Sequence, residues 1–130
     1  MSKNKIYVVV VDDDDSFARA LSRLLRASGF EVRTCPSGEE FLAPTTLPPP
    51  DCLVFDIQLG GMSGLDLLRR LRASGSHAPV IFVTAHDERE IRAEAQQAGC
   101  VAYLCKPVAG HALVDAVAKA VGGREPPASS

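Results

Sequence analysis

The residues of this chain that could do chemistry stand at the ends of apolar runs. Cys52-Leu53-Val54-Phe55-Asp56 stops on a carboxylate, and a buried strand that ends this way delivers its acid to a rim. The first apolar run, Ile6 to Val11, ends on Asp12, Asp13, Asp14 and Asp15, and later runs end on Thr84 and on Lys106-Pro107. If these runs are parallel strands of one sheet, acids, a hydroxyl and an ammonium meet at one edge. Converging carboxylates repel one another, so they need a cation or a raised pKa. Ligands made of oxygen alone select a hard ion, and Mg2+, octahedral and keeping several waters, is the natural one. Asp13 and Asp56 can each give one oxygen, and a backbone carbonyl just past Asp56 a third. A cation so placed lets the Asp56 carboxylate attack a phosphoryl group and form an acyl phosphate. Lys106 then serves as a second cation and Thr84 as a hydroxyl donor, the protein's work being positioning and charge stabilisation.

The elements that must position these groups are legible in the periodicities. Lys5 to Val11, with four consecutive valines, reads as a strand buried on both faces. Ser16 to Ser28 puts Phe17, Leu21, Leu24 and Leu25 on one side of a helix and Arg19, Arg23 and Arg26 on another, with Gly29 closing it. Glu31 to Cys35 alternates as a strand, and Ser37-Gly38-Glu39-Glu40 reads as a capping box opening a short helix that Pro44 ends. Pro48, Pro49 and Pro50 make a stiff connection to the Asp56 strand. A glycine-rich loop, Gln58 to Met62, precedes Ser63, which caps a helix carrying Leu65, Leu67, Leu68 and Leu71 inward and closing at Gly75. Val80 to Val83 is a strand, Asp87 to Ala98 a helix, Val101 to Cys105 a strand, and Gly110 to Val121 a helix with Asp115 and Lys119 spaced as an i,i+4 pair. Strands alternating with helices predict an α/β fold, a five-stranded parallel sheet covered on both faces by right-handed crossovers.

Length and composition narrow the classes. A chain of 130 residues holds one domain, read here as residues 1–121, with 122–130 a linker or disordered tail. The net charge of −2 gives no reason to expect direct nucleic-acid binding. No apolar stretch approaches the roughly 18 to 20 residues of a membrane span, and Met1 to Lys5 lacks a signal peptide's apolar region, so a cytoplasmic location is expected. Cys35, Cys52, Cys100 and Cys105 form no Cys-x-x-Cys pair and read as small buried hydrophobes rather than zinc ligands.

Taken together, the residues resemble the receiver domains of two-component response regulators. The resemblance covers about Lys5 to Val121. It rests on the Asp12-Asp13 pair, Asp56, Gly64 after a Met-x-Gly pattern, Thr84-Ala85, Tyr103 and Lys106-Pro107. It implies a flavodoxin-like (βα)5 sheet of order 2-1-3-4-5 and phosphorylation of Asp56 by a histidine kinase. Further implications are Mg2+ on Asp13, Asp56 and the Gln58 carbonyl, with Asp12 acting through water, and a phosphoryl group gripped by Thr84 and Lys106. Tyr103 would change rotamer as Thr84 moves, Lys106-Pro107 would be cis, and Gln58 and His86 would tune dephosphorylation. Such a domain is not an enzyme beyond assisting its own phosphorylation and dephosphorylation. Gly60 stands where that family commonly has proline, which should loosen the loop presenting Gln58. Asp14 and Asp15 prolong the acid run and serve the first helix's N-terminus.

The Asp87–Ala98 helix has Ile91 as its only large apolar residue, so it should be loosely held. With the Val101–Cys105 strand it is the expected output face and a surface for a homodimer. Two alternatives stay open: a haloacid-dehalogenase-like phosphohydrolase with Asp12 as nucleophile in Asp12-x-Asp14, and a pseudo-receiver that binds a partner without phosphorylation.

Overall fold

Four valines in a row cannot alternate between core and solvent, and the fold accommodates them by burying both faces of the strand they form. In this computed structural model, which describes residues 5–85 and 87–122, β1 (Tyr7–Val11) lies near the middle of the sheet, with Val8 to Val11 all buried. β3 (Cys52–Phe55) and β4 (Val80–Thr84) are buried along their whole length as well. β2 (Glu31–Cys35) is an edge strand and alternates between exposed and buried positions; β5 (Ala102–Cys105) forms the other edge. All pairings are parallel and the five-stranded order is β2-β1-β3-β4-β5, which is the flavodoxin-like order expected.

The helices cover the two faces separately. α1 (Asp15–Ala27) and α5 (Gly110–Ala120) pack Leu21, Leu25, Leu113 and Val117 against Val8, Val10, Val54 and Ile81. α2 (Gly38–Leu42), α3 (Gly64–Ala73) and α4 (Arg89–Gln97) lie on the other side, where Leu67, Leu68 and Ala95 meet Val9, Leu53, Phe55 and Phe82. Phe41, Phe55, Phe82 and Tyr103 form a row of tilted or edge-on ring contacts, with centroids 6.1 to 6.3 Å apart, running across this second layer. Cys35 and Cys52 are buried, and burial pushes the Cys52 thiol up to about 12; Cys100 and Cys105 are only half-buried, and none of the four is in a disulfide.

Local signals place the element ends. Asp14 caps α1 by accepting from the Phe17 N–H, and Ser63 caps α3 by accepting from Asp66. Ser37 caps α2 through Glu40 N–H, but the expected capping box is half-formed, because its other half, a Glu40 side-chain bond back to Ser37, is absent. α4 begins two residues later than expected, at Arg89, with no side-chain cap; Asp87 pairs with Arg92 instead. Asp115 and Lys119 lie on the exposed side of α5 without closing an ion pair, and Gly122 ends that helix by donating to the Lys119 carbonyl. The rest of the expected tail, residues 123–130, lies outside the described residues.

At the sheet's amino-terminal edge, the Arg72 guanidinium joins two loops. It donates to the carbonyls of Ser76 and Ala78 at 3.3 and 2.9 Å and of Gly99 at 3.2 Å, tying the α3–β4 and α4–β5 connections together. A fork of donors suits this task and an ammonium does not. Arg72→Ala should lower the unfolding free energy by about 2 kcal/mol in urea titrations, and Arg72→Lys should recover less than half of that.

Candidate functional site

The parallel order sends every strand's carboxyl end to one rim, and the pleat decides which side chains share a face there. Val10, Val54 and Leu104 point toward the α1/α5 layer. Asp12, Asp56 and Lys106, each two residues further along its chain, continue that face beyond the sheet. The Lys106 Nζ donates to Asp12 Oδ2 at 3.2 Å and to Asp56 Oδ2 at 3.1 Å, with its side chain 17% exposed. Asp13 is exposed, yet one oxygen from each of Asp12, Asp13 and Asp56 lies within 4.8 Å of the others. Among the described residues this is the one cluster of acid, His or Cys side chains able to surround a metal ion. Its donors are all oxygen, a set that fits a hard divalent cation such as Mg2+ and disfavours zinc.

Backbone N–H groups fix the carboxylates. Asp12 Oδ1 accepts from Asp14 N at 2.9 Å and Asp56 Oδ1 from Gln58 N at 3.0 Å, each a tight turn made by an acid on its own chain. Asp13 Oδ2 accepts from Gly60 N at 3.3 Å, so the loop after β3 is bound to the loop after β1. Glu39, on α2, takes the Met62 N–H at 3.0 Å. The Gly60-Gly61 segment is therefore held at two points, which offsets the looseness its glycines suggest. Gly60 gives a hydrogen bond that proline could not, and Gly61 (φ 77°) leaves room for the Glu39 carboxylate, which a Cβ there would meet at 2.9 Å. A Cβ on Gly64 would overlap the Asp56 carbonyl oxygen, so α3 can approach the Asp56 strand end only with glycine at its start.

The electrostatics follow from this crowding. Burial, opposed by the Asp14 N–H and Lys106 and reinforced by the charge of Asp56, raises the Asp12 carboxyl above its ordinary value. Burial alone would lower the Lys106 ammonium, but the hydrogen bonds and charges of Asp56 and Asp12 outweigh it and raise its pKa.

Residues 8–118 match the family model of the response regulator receiver domain. The chain belongs to that family. Nodulation protein W of Bradyrhizobium diazoefficiens is 39% identical over 119 residues, spanning 92% of this chain and 52% of its own. Transcriptional regulatory protein FixJ of Azorhizobium caulinodans is 36% identical over 115 residues, spanning 88% and 54%. The receiver described here thus spans about half the length of these curated relatives. The crystal structure of FixJ-N superposes with a TM-score of 0.83 at 31% identity, covering 91% of this chain and 94% of that one. The Francisella response regulator 1452 receiver domain gives 0.85 at 26%, covering 93% and 100%. The match sets aside the haloacid-dehalogenase family. No helix among the described residues is long and apolar enough to cross a membrane.

Thr84 is fully buried at the end of β4, and its carbonyl accepts from Lys106 N at 2.8 Å. Lys106-Pro107 is cis. Gln58 has an exposed side chain, and His86 lies outside the described residues. Tyr103 is on the opposite face of the sheet from Lys106, 9% exposed, its ring edge-on to Phe82 and covered by the Arg92 guanidinium at 4.7 Å. Sequence reasoning missed Arg92 on Tyr103, Glu39 on the loop, and Phe17, whose ring lies 4.1 Å from Lys106 Nζ. Only Phe17 left a signal, an aromatic in the first turn of a helix that opens directly on the acid run.

A raised pKa means that native Asp12 holds a proton more tightly than the unfolded chain does. Its destabilising charge is present above the native pKa and gone below the unfolded value of 3.8. In metal-free buffer at pH 7, Asp12→Asn should raise the unfolding free energy by about 1 kcal/mol. Urea titrations repeated toward pH 4 should show that advantage shrinking, because the wild type then takes up the proton.

Proposed function

We propose that this receiver accepts a phosphoryl group on Asp56 from a histidine kinase, with Mg2+ bound, and that the acyl phosphate changes its association with a partner. The observation that carries the reading is the Lys106 ammonium seated between Asp12 and Asp56 while Asp13 completes an oxygen cluster 4.8 Å across. Asp13, Asp56 and the Gln58 backbone carbonyl would hold the ion directly, and Asp12 through water. Once bound, Mg2+ supplies positive charge for the phosphoryl oxygens.

The chain's own groups do the rest. An Asp56 carboxylate oxygen attacks phosphorus, the bond from phosphorus to the kinase's histidine nitrogen breaks, and that nitrogen keeps the electron pair. Lys106 follows the charge from the carboxylate to a phosphoryl oxygen, and the Thr84 hydroxyl donates to another. Gln58 and His86 set how readily water reaches the phosphorus afterward. Tyr103 changes rotamer as Thr84 moves toward the new group. The receiver occupies residues 1–121, acts in the cytoplasm, catalyses only its own gain and loss of phosphate, and does not bind nucleic acid directly.

Incubation with acetyl phosphate and Mg2+ should add one phosphoryl group by intact mass. Asp56→Asn, or chelation of the metal, should abolish the gain. Absence of any gain in the wild type under all conditions would favour the phosphorylation-independent binding module.

The output face is assigned to α4 and β5. Ala95 is the only buried residue of α4, which has no side-chain cap, and Val101, just before β5, is 54% exposed. This surface would also serve a homodimer. Hydrogen exchange should be faster in α4 than in β1 and β3 by about two orders of magnitude and should change on phosphorylation. Equal protection in helix and strands, unaltered by phosphate, would remove the assignment.

A further inference from the structure

We infer that Phe17 is a positioning residue for Lys106, its ring being the third wall of the seat that holds the ammonium between Asp12 and Asp56; the consequence for rate rests on the function proposed above. Lys106 Nζ has two carboxylate partners at 3.2 and 3.1 Å and the Phe17 ring centroid at 4.1 Å. That is well inside the roughly 6 Å within which a ring face attracts a cation. The contact is partly desolvated, since the lysine side chain is 17% exposed and Phe17 packs against the α1/α5 core. A lysine ammonium sits on a flexible four-carbon stem, so two partners on one side leave it free to swing toward water. A ring on another side removes that freedom.

The ring is itself held by the acid run. Asp12 Oδ1 accepts from Asp14 N at 2.9 Å, Asp14 Oδ1 accepts from Phe17 N at 3.1 Å, and Phe17 meets Lys106, which returns to Asp12. These contacts close a circuit, so the third acid of the run acts on the site by fixing where α1 begins. The ring face also differs from a third carboxylate in a way that matters for transfer. Its attraction is non-directional and offers no strong acceptor, so the ammonium can pass from Asp56 to an incoming phosphoryl oxygen without losing the contact. An aliphatic side chain would fill the same space without attracting the charge.

The test compares Phe17→Leu with Phe17→Tyr, which keeps a ring. In metal-free wild type and in Phe17→Tyr, the Lys106 ε-methylene protons should show an upfield ring-current shift that Phe17→Leu abolishes. With acetyl phosphate and Mg2+, Phe17→Leu should be phosphorylated about five-fold more slowly, while Phe17→Tyr keeps most of the rate and both variants melt as single transitions. An unshifted Lys106 resonance in the wild type overturns the inference, as does a wild-type rate in Phe17→Leu or an equal loss in Phe17→Tyr. Wild type that takes up no phosphoryl group overturns the proposed function instead, and the ring-current comparison alone then decides whether Phe17 seats Lys106.

Discussion

Three carboxylates held within 4.8 Å of one another are the constraint on which the rest of this structure depends. Two unit charges about 4 Å apart repel by about 1 kcal/mol in water and by several times that near a protein surface. The fold brings one ammonium and several backbone N–H groups to the cluster. One positive charge cannot balance three negative ones, and burial, with a smaller push from the Asp56 charge, raises the Asp12 carboxyl despite Lys106. A site left short of positive charge is suited to a divalent cation and to the phosphoryl chemistry such a cation supports. It is also a site at which folding alone is not the quantity being optimised.

Holding like charges together requires a rigid frame, and the frame is the group of central strands. Val8 to Val11, β3 and β4 are buried on both faces, so their carboxyl ends have little freedom. The loop after β3 buries Ile57 and Leu59 in the core and is tied to its neighbours through Gly60 to Asp13 and Met62 to Glu39 on α2. Gly64 lets α3 press directly on the Asp56 backbone. The α4 side is built differently. It buries one alanine and is steadied by Arg92, which pairs with Asp87 and lies over Tyr103. Rigid chemistry on one side of the sheet and a lightly anchored helix on the other is an arrangement in which a local change of charge can be read at a distance.

Legibility followed the range of the interaction. The strands were visible because continuous β-branched runs have few other stable solutions, and their alternation with helices implied a parallel sheet with right-handed crossovers, while the strand order was implied by the resemblance to receiver domains. Caps such as Ser63 on Asp66 N and Asp14 on Phe17 N need only neighbouring residues. Short-range rules failed at some helix starts. Asp87 looked like the start of α4 but is bound to Arg92, and Glu40 does not complete its capping box. Asp115 and Lys119 have helical spacing yet stay apart, as exposed pairs often do when side-chain entropy matches the attraction.

By itself the sequence determined which residue types end the strands: acids after β1 and β3, a hydroxyl after β4, an ammonium after β5. Because parallel strands share a carboxyl-terminal edge, that was enough to place Asp12, Asp13, Asp56, Thr84 and Lys106 on one rim. Only the tertiary structure decided what each of them touches. Whether Lys106 turned to Asp12, to Asp56 or to water depended on the β1–β3 register and on where α1 begins, which also set Phe17 beneath it. The grip of Glu39 on the β3–α3 loop, the three-carbonyl clamp of Arg72, and the cover of Arg92 on Tyr103 had no sequence signal. Each joins residues far apart in the chain through a long side chain with many rotamers, and packing of the whole domain selects the one that is used.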